Sequence, residues 1–175
     1  MSILAGTTST PNIRKPWNLP ENGHSLHRIC DYIVLAEFDI DTGSTVRHQY
    51  PSKIPNYPDD WFAENMLPEG AHNRQIDYTY MFLNRNGDIV NSNDYTASGS
   101  GLKTAQSDNI FLYGLNLCLT KHDSSVRRGA VVKAMSVFSR HSCVEILKRP
   151  LNLALEEYFR LPGEEVLEVF FLCLS

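Results

Sequence analysis

Residues 30–51 read Cys30-Asp-Tyr-Ile-Val-Leu-Ala-Glu-Phe-Asp39-Ile-Asp-Thr-Gly43-Ser-Thr-Val-Arg-His-Gln-Tyr50-Pro51, and their pattern decides the fold. Ile33, Val34, Leu35, Ala36 and Phe38 put apolar groups on both sides of an extended chain, so Tyr32 to Phe38 is expected as a central strand covered on both faces. Asp41-Thr42-Gly43 supplies a tight turn. Val46, His48 and Tyr50 then alternate with Thr45, Arg47 and Gln49, the half-exposed pattern of a partner strand nearer the sheet edge. Pro51 ends that pairing because it has no N–H for the ladder.

Further along, Asp59 and Asp60 precede Trp61, Phe62 and Met66, an acidic start to a short amphipathic helix that Pro68 stops. A third strand is expected over Tyr78 to Asn84, with Tyr78, Tyr80 and Phe82 on one face and Thr79, Met81 and Leu83 on the other. Residues 85–109 are rich in Asn, Ser, Asp and Gly and predict a long exposed loop, whose Ser98-Gly99-Ser100-Gly101 run has linker composition. Ile110 to Thr120 aligns Phe111, Tyr113, Leu115, Leu117 and Leu119 on one face. After a polar turn, Ala130 to Phe138 returns apolar on both faces. The period then becomes helical through Val144, Leu147, Leu151, Leu155, Tyr158 and Phe159, with Pro150 kinking this helix or opening its second half. Leu161-Pro162-Gly163 breaks it, and Glu164-Glu165 opens a last apolar helix over Val166 to Leu174, whose abrupt end reads as a chain cut from a larger protein.

The order is strand, strand, short helix, three strands, two helices. It predicts an α+β domain of longin type: a five-stranded antiparallel sheet with helices on both faces and the strands at Tyr32 and Ala130 side by side in its centre. Residues 1–25, polar and broken by Pro11, Pro16 and Pro20, are expected as an arm ahead of a domain spanning 26–175.

A chain of 175 residues with 42% hydrophobic content has enough apolar area for one core. A net charge of -4 argues against nucleic-acid binding, which needs a basic face. Cys30, Cys118, Cys143 and Cys173 sit in apolar stretches without C-x-x-C spacing, so all four read as small buried hydrophobes in a reducing compartment. No signal-peptide core is present and Ser2 stands where myristoylation needs Gly, which predicts a cytoplasmic protein without an anchor of its own.

The sharpest enzymatic motif is Asp41-Thr42-Gly43-Ser44, the D-T-G-S of aspartic proteases. That chemistry needs two carboxylates sharing a proton in a dry cleft, so a single copy would have to dimerise. One polar copy reads better as a hairpin turn. Gly99-x-Gly-Leu-Lys103-Thr104 resembles a phosphate loop, but Leu102 stands where close backbone approach requires Gly. The six histidines never fall at metal-binding spacings, so no metal or cofactor is expected, and Cys143 near His141 reads as a buried helix cysteine. Asp59, Asp60 and Glu64 read as helix-start charges. What remains is surface. Tyr57, Trp61, Phe62 and Met66 form the expected apolar anchor for a protein partner, with either Trp61 or Phe62 turned inward, and His72 and Arg74 as nearby polar contacts.

Tyr32-Ile-Val-Leu-Ala-Glu-Phe-Asp39, Gln49-Tyr50-Pro51, Leu67-Pro-Glu-Gly-Ala-His72 and Arg128-Gly-Ala-Val-Val-Lys-Ala-Met-Ser-Val-Phe-Ser139 together resemble the upstream longin-like module of DENN-related proteins. More closely, they are similar to the N-terminal Arf-docking domain of the fungal Arf-interacting polarity proteins. The resemblance implies a non-enzymatic adaptor that binds an Arf-family small GTPase, helps to place it at sites of polarised growth and vesicle traffic, and is itself recruited peripherally to the polarised plasma membrane or to vesicles. The GTP-bound form is expected because switch segments become ordered around the γ-phosphate. A component of a DENN-type guanine-nucleotide exchange factor is the alternative it leaves. Pro150 and residues 84–109 depart from the family pattern. A homodimer is also expected, through the edge strand at Thr45 to Tyr50 or the apolar surface of Val166 to Leu174.

Overall fold

A computed structural model describes residues 28–39, 41–70, 73–84, 111–126 and 129–175. The expected arm at 1–25, the loop at 85–109 with its Ser-Gly run and phosphate-loop likeness, and His72 lie outside the described residues.

Strand β1 (Tyr32–Asp39) pairs antiparallel with β2 (Gly43–Tyr50) and, on its other side, with β5 (Ala130–Ser139). Strand β4 (Phe111–His122) joins β5 to the far edge strand β3 (Ile76–Asn84). The result is a five-stranded antiparallel sheet in the order β2-β1-β5-β4-β3, with the two strands that are apolar on both faces adjacent in its centre. Helix α1 (Asp59–Met66) lies on one face; α2 (Lys148–Arg160) and α3 (Glu164–Cys173) lie on the other.

Each face of β1 therefore contributes to a separate core. Ile33 and Leu35 pack with Leu115, Leu117, Leu151 and Leu155 beneath α2. Val34 and Ala36 pack with Phe62, Met66 and Phe138 beneath α1. Gly114 permits the second packing, since a Cβ there would lie 2.5 Å from Cε1 of Phe138. Pro150 falls in the first turn of α2, where its missing N–H has no intrahelical acceptor to lose, and a 3₁₀ turn over Val144–Leu147 precedes it.

Polar side chains lock the layers together. On the α1 face, the buried Asn116 donates through Nδ2 to the Met66 carbonyl at 2.9 Å and to Thr79 Oγ1 at 3.1 Å, and its Oδ1 accepts from Ser136 at 2.8 Å. One amide thus satisfies an orphan carbonyl at the end of α1 and ties β3 to β5. At the opposite corner, the Asp31 carboxylate accepts from the backbone N–H of Arg140 at 2.8 Å and from its guanidinium Nη2 at 2.5 Å, fastening the start of β1 to the end of β5.

Two expectations are corrected. Val46 does not share a face with His48 and Tyr50: Leu35 opposes His48 while Ala36 opposes Val46, leaving Arg47 as an extra residue between them. This bulge inverts the alternation, sending Val46 to the α1 side while His48 meets Tyr158 and Tyr50 meets Phe171 on the other. Cys143 and Cys173 are exposed, unlike Cys30 and Cys118. Cys143 precedes the 3₁₀ turn and Cys173 ends α3. Burial pushes the Cys118 thiol up to about 12 and raises that of Cys30 further, which keeps both un-ionised.

Candidate docking surface

The D-T-G-S segment forms the β1–β2 hairpin. The Asp39 carboxylate accepts the backbone N–H groups of Asp41 and Thr42 at 2.8 and 3.1 Å, and Gly43 takes φ +77°. These N–H donors hold the Asp39 carboxyl below its usual range. Asp41 itself stands exposed at the tip, without the apolar enclosure that a proton-sharing pair needs.

The expected anchor is mostly core. Phe62 and Met66 are fully buried, and Tyr57 is nearly so. The Tyr57 hydroxyl accepts the Asn84 N–H at 2.8 Å, fixing the approach to α1 against the end of β3. Phe62 packs edge-on to Phe138 at 5.7 Å. Met66 follows it at i+4 on the same helical face. A helix of eight residues holds to a sheet only by burying that face, so Phe62 and Met66 present no open surface, and Tyr57, just ahead of the helix, presents little. Trp61 is half-buried, packed edge-on to both Tyr57 and Phe62 at 5.0 and 5.2 Å. Arg74 is exposed ahead of β3 and pairs with Asp77 at 3.2 Å.

An exposed apolar row lies on β3. Met81 and Leu83 point under α1, so the alternate residues face the other way, where α2 and the 3₁₀ turn cover β4 and β5 but do not extend fully over β3. Ile76 is 49% exposed, Tyr80 47%, Phe82 65% and, on β4, Phe111 45%, which leaves a row of large side chains in water. Phe82 rests edge-on against Tyr113 at 5.8 Å. Tyr80 donates its hydroxyl to the Glu145 carboxylate, and the Lys148 ammonium lies 5.7 Å from its ring. These contacts fix the orientation of the row while leaving its outer faces open. Along its outer edge β3 has no strand partner among the described residues.

The sequence signal for this row was its alternation: Tyr78, Tyr80 and Phe82 were grouped correctly on one face, but nothing in the strand says how far a helix from elsewhere reaches.

At the opposite edge, Glu37 accepts from Lys133 at 2.6 Å and from Arg47 at 3.1 Å. Partial burial works against its ionisation, yet these two cations outweigh it and hold the carboxyl below its ordinary 4.5. A folded value below the unfolded one gives stability that is present above about pH 4.5 and lost as pH falls through the folded value. Denaturant titrations over that acidic range will show a smaller loss for Glu37→Gln than for the parent chain.

Among the described residues no group of three His, Cys, Asp or Glu side chains could hold a metal ion, and no helix is long and apolar enough to cross a membrane.

Residues 32–109 match the family model described as the docking domain of Afi1 for Arf3 in vesicle trafficking. An AFI1-like protein of Schizosaccharomyces pombe is 28% identical over 141 residues, covering 79% of this chain and 22% of that protein. The chain thus spans about a fifth of the length of this relative. No solved structure matches it significantly. The matched segment contains β1, β2, α1 and β3, the strand with the exposed row. Over residues 32–109 this chain is thus similar to the docking domain of Afi1 for Arf3.

Proposed function

We propose that this domain docks an Arf-family small GTPase in its GTP-bound form on the outer face and edge of β3, acting by binding and not by catalysis. The observation that carries the site is the coincidence of the exposed row Ile76, Tyr80 and Phe82 with the family-matched segment. The other strongly exposed apolar surface, on α2 and α3, falls outside that segment. Aromatic side chains held by packing beneath them supply contact area at low entropic cost, the usual make-up of an interface centre. The outer edge of β3, which has no strand partner among the described residues, adds backbone N–H and C=O groups for an extended segment of the partner. Arg74, exposed at the entry to β3, supplies a polar contact at the rim. Preference for the GTP form follows because switch segments become ordered around the γ-phosphate and then present a defined surface. Bound in this way, the domain brings the GTPase to vesicles or to sites of polarised growth.

Calorimetry of the 175-residue chain against an Arf GTPase loaded with GDP or a non-hydrolysable GTP analogue tests this. Phe82→Ala and Tyr80→Ala are each expected to weaken binding by about 1 kcal/mol or more with an unchanged fold. Equal affinity for both nucleotide states rejects the switch reading, and unaffected binding by both variants rejects the surface.

A further inference from the structure

The Thr120 N–H donates to the Gln75 carbonyl at 3.0 Å, which makes these two residues a hydrogen-bonded pair at the start of the β3–β4 ladder. From there the register runs unbroken, from Ile76 opposite Leu119 to Asn84 opposite Phe111. Asp77, Thr79, Met81 and Leu83 therefore turn their N–H and C=O groups to β4, while those of Ile76, Tyr78, Tyr80 and Phe82 point to the outer edge. Asn84 shares the outward parity, but the Tyr57 hydroxyl caps it, accepting its N–H at 2.8 Å and donating to its carbonyl at 3.4 Å. Among the described residues, the edge left to a new strand thus runs from Ile76 to Phe82.

We propose that this edge pairs antiparallel with β3 of a second copy, about a two-fold axis through Thr79. In that register Ile76 faces Phe82 of the second copy and Tyr78 faces its Tyr80, and each pair exchanges two hydrogen bonds. Every outward group finds a partner. Moving the axis to Tyr80 sets Ile76 against the capped Asn84, and moving it to Tyr78 sets Phe82 against Arg74, ahead of the strand. The Tyr57 cap therefore selects one register. A two-fold axis perpendicular to the sheet also keeps both apolar rows on the same face, so Ile76, 49% exposed, packs beside Phe82, 65% exposed, and tyrosine beside tyrosine. Charge does not oppose the pairing: Asp77 is the single charged side chain of β3, it pairs with Arg74, and it falls opposite Met81. At the other edge, β2 carries the Arg47 bulge, a feature that hinders edge-to-edge pairing, which moves the homodimer expected at Thr45 to Tyr50 across to β3. One consequence rests on the docking reading above: the second copy and the GTPase then compete for a single edge.

Light scattering of the 175-residue chain over a range of concentrations, with no GTPase present, measures the pairing alone. The mass is expected to double as concentration rises, and Ile76→Pro with Phe82→Lys to stay monomeric at tenfold higher concentration with unchanged circular dichroism. Proline at 76 removes an outward N–H and leaves the ladder to β4 intact. In a Cys143→Ser, Cys173→Ser background, Thr79→Cys sets two thiols at a non-hydrogen-bonded pair with Cα atoms about 4.5 Å apart, within disulfide reach. Mild oxidation should give a covalent dimer there and none for Ile76→Cys, whose copies lie roughly 20 Å apart along the strands. A monomeric mass at every concentration overturns the proposal, as does equal cross-linking at 76 and 79. A dimer that survives Ile76→Pro with Phe82→Lys also overturns it and assigns the contact to another surface, such as the apolar groove that Leu153 and Val169 line between α2 and α3. GTPase titrations are read separately: affinity that falls as the domain dimerises supports competition, and equal affinity for monomer and dimer rejects the shared edge. No GTPase binding alongside a doubled mass upholds the pair and rejects only the docking reading.

Discussion

Phe62→Ala is expected to lower the free energy of unfolding by about 3–5 kcal/mol, the range for removing a buried aromatic ring that its surroundings cannot refill. The ring is fully buried, contacts Phe138, Tyr57 and Trp61, and holds α1 to the sheet. Its neighbour Phe138 is closely packed on Gly114, where a Cβ would lie 2.5 Å from the ring. Urea denaturation followed by far-ultraviolet circular dichroism measures the loss, and Phe82→Ala provides the contrast. Phe82 is 65% exposed and should leave stability nearly unchanged while weakening GTPase binding. A stable Phe62→Ala domain that nonetheless fails to bind would return the docking surface to α1.

Asp31→Ala is expected to cost about 3 kcal/mol, the lower end of the range for stranding the partner of a buried ion pair. The lower end applies because the Arg140 side chain keeps 17% exposure, against 4% for Asp31. The loss has two parts: the guanidinium loses the Asp31 counter-charge, and the Arg140 backbone N–H loses the Asp31 acceptor at a point where β5 leaves the sheet. Combining Asp31→Ala with Arg140→Met separates them, since the second change removes the stranded charge but leaves the N–H unmatched. Partial recovery in the double variant fits this account. No loss in Asp31→Ala alone would remove the pair from the structural explanation of this corner.

Most of the fold could be read along the chain because each strand carried its own period. The apolar runs on both sides of β1 and β5 required a central place, and α1 emerged with its observed limits, Asp59 to Met66, because acid, aromatic spacing and proline marked them. The Arg47 bulge was not readable, since an inserted residue in a strand of mixed polarity leaves a pattern as regular as the true alternation. The burial of the expected anchor was not readable for a related reason. Tyr57, Phe62 and Met66 have the composition of an interface centre and of a core equally, and only the sheet beneath α1 distinguishes them. Cys143 and Cys173 show the same ambiguity in small residues, where local apolar neighbours say little about which way a thiol turns.

The hydrogen bond between Ile29 and Leu174 has a mechanical meaning. It joins the two ends of the fold at one point, on the side of the sheet where α3 meets β1 and β2. Strand β3 is at the other edge, four strand spacings away, roughly 19 Å by the usual separation. Ile29 and Leu174 thus tie the approach to β1 to the end of α3 on the β1–β2 side. A partner docked on β3, as proposed, would therefore sit across the whole width of the sheet from that junction.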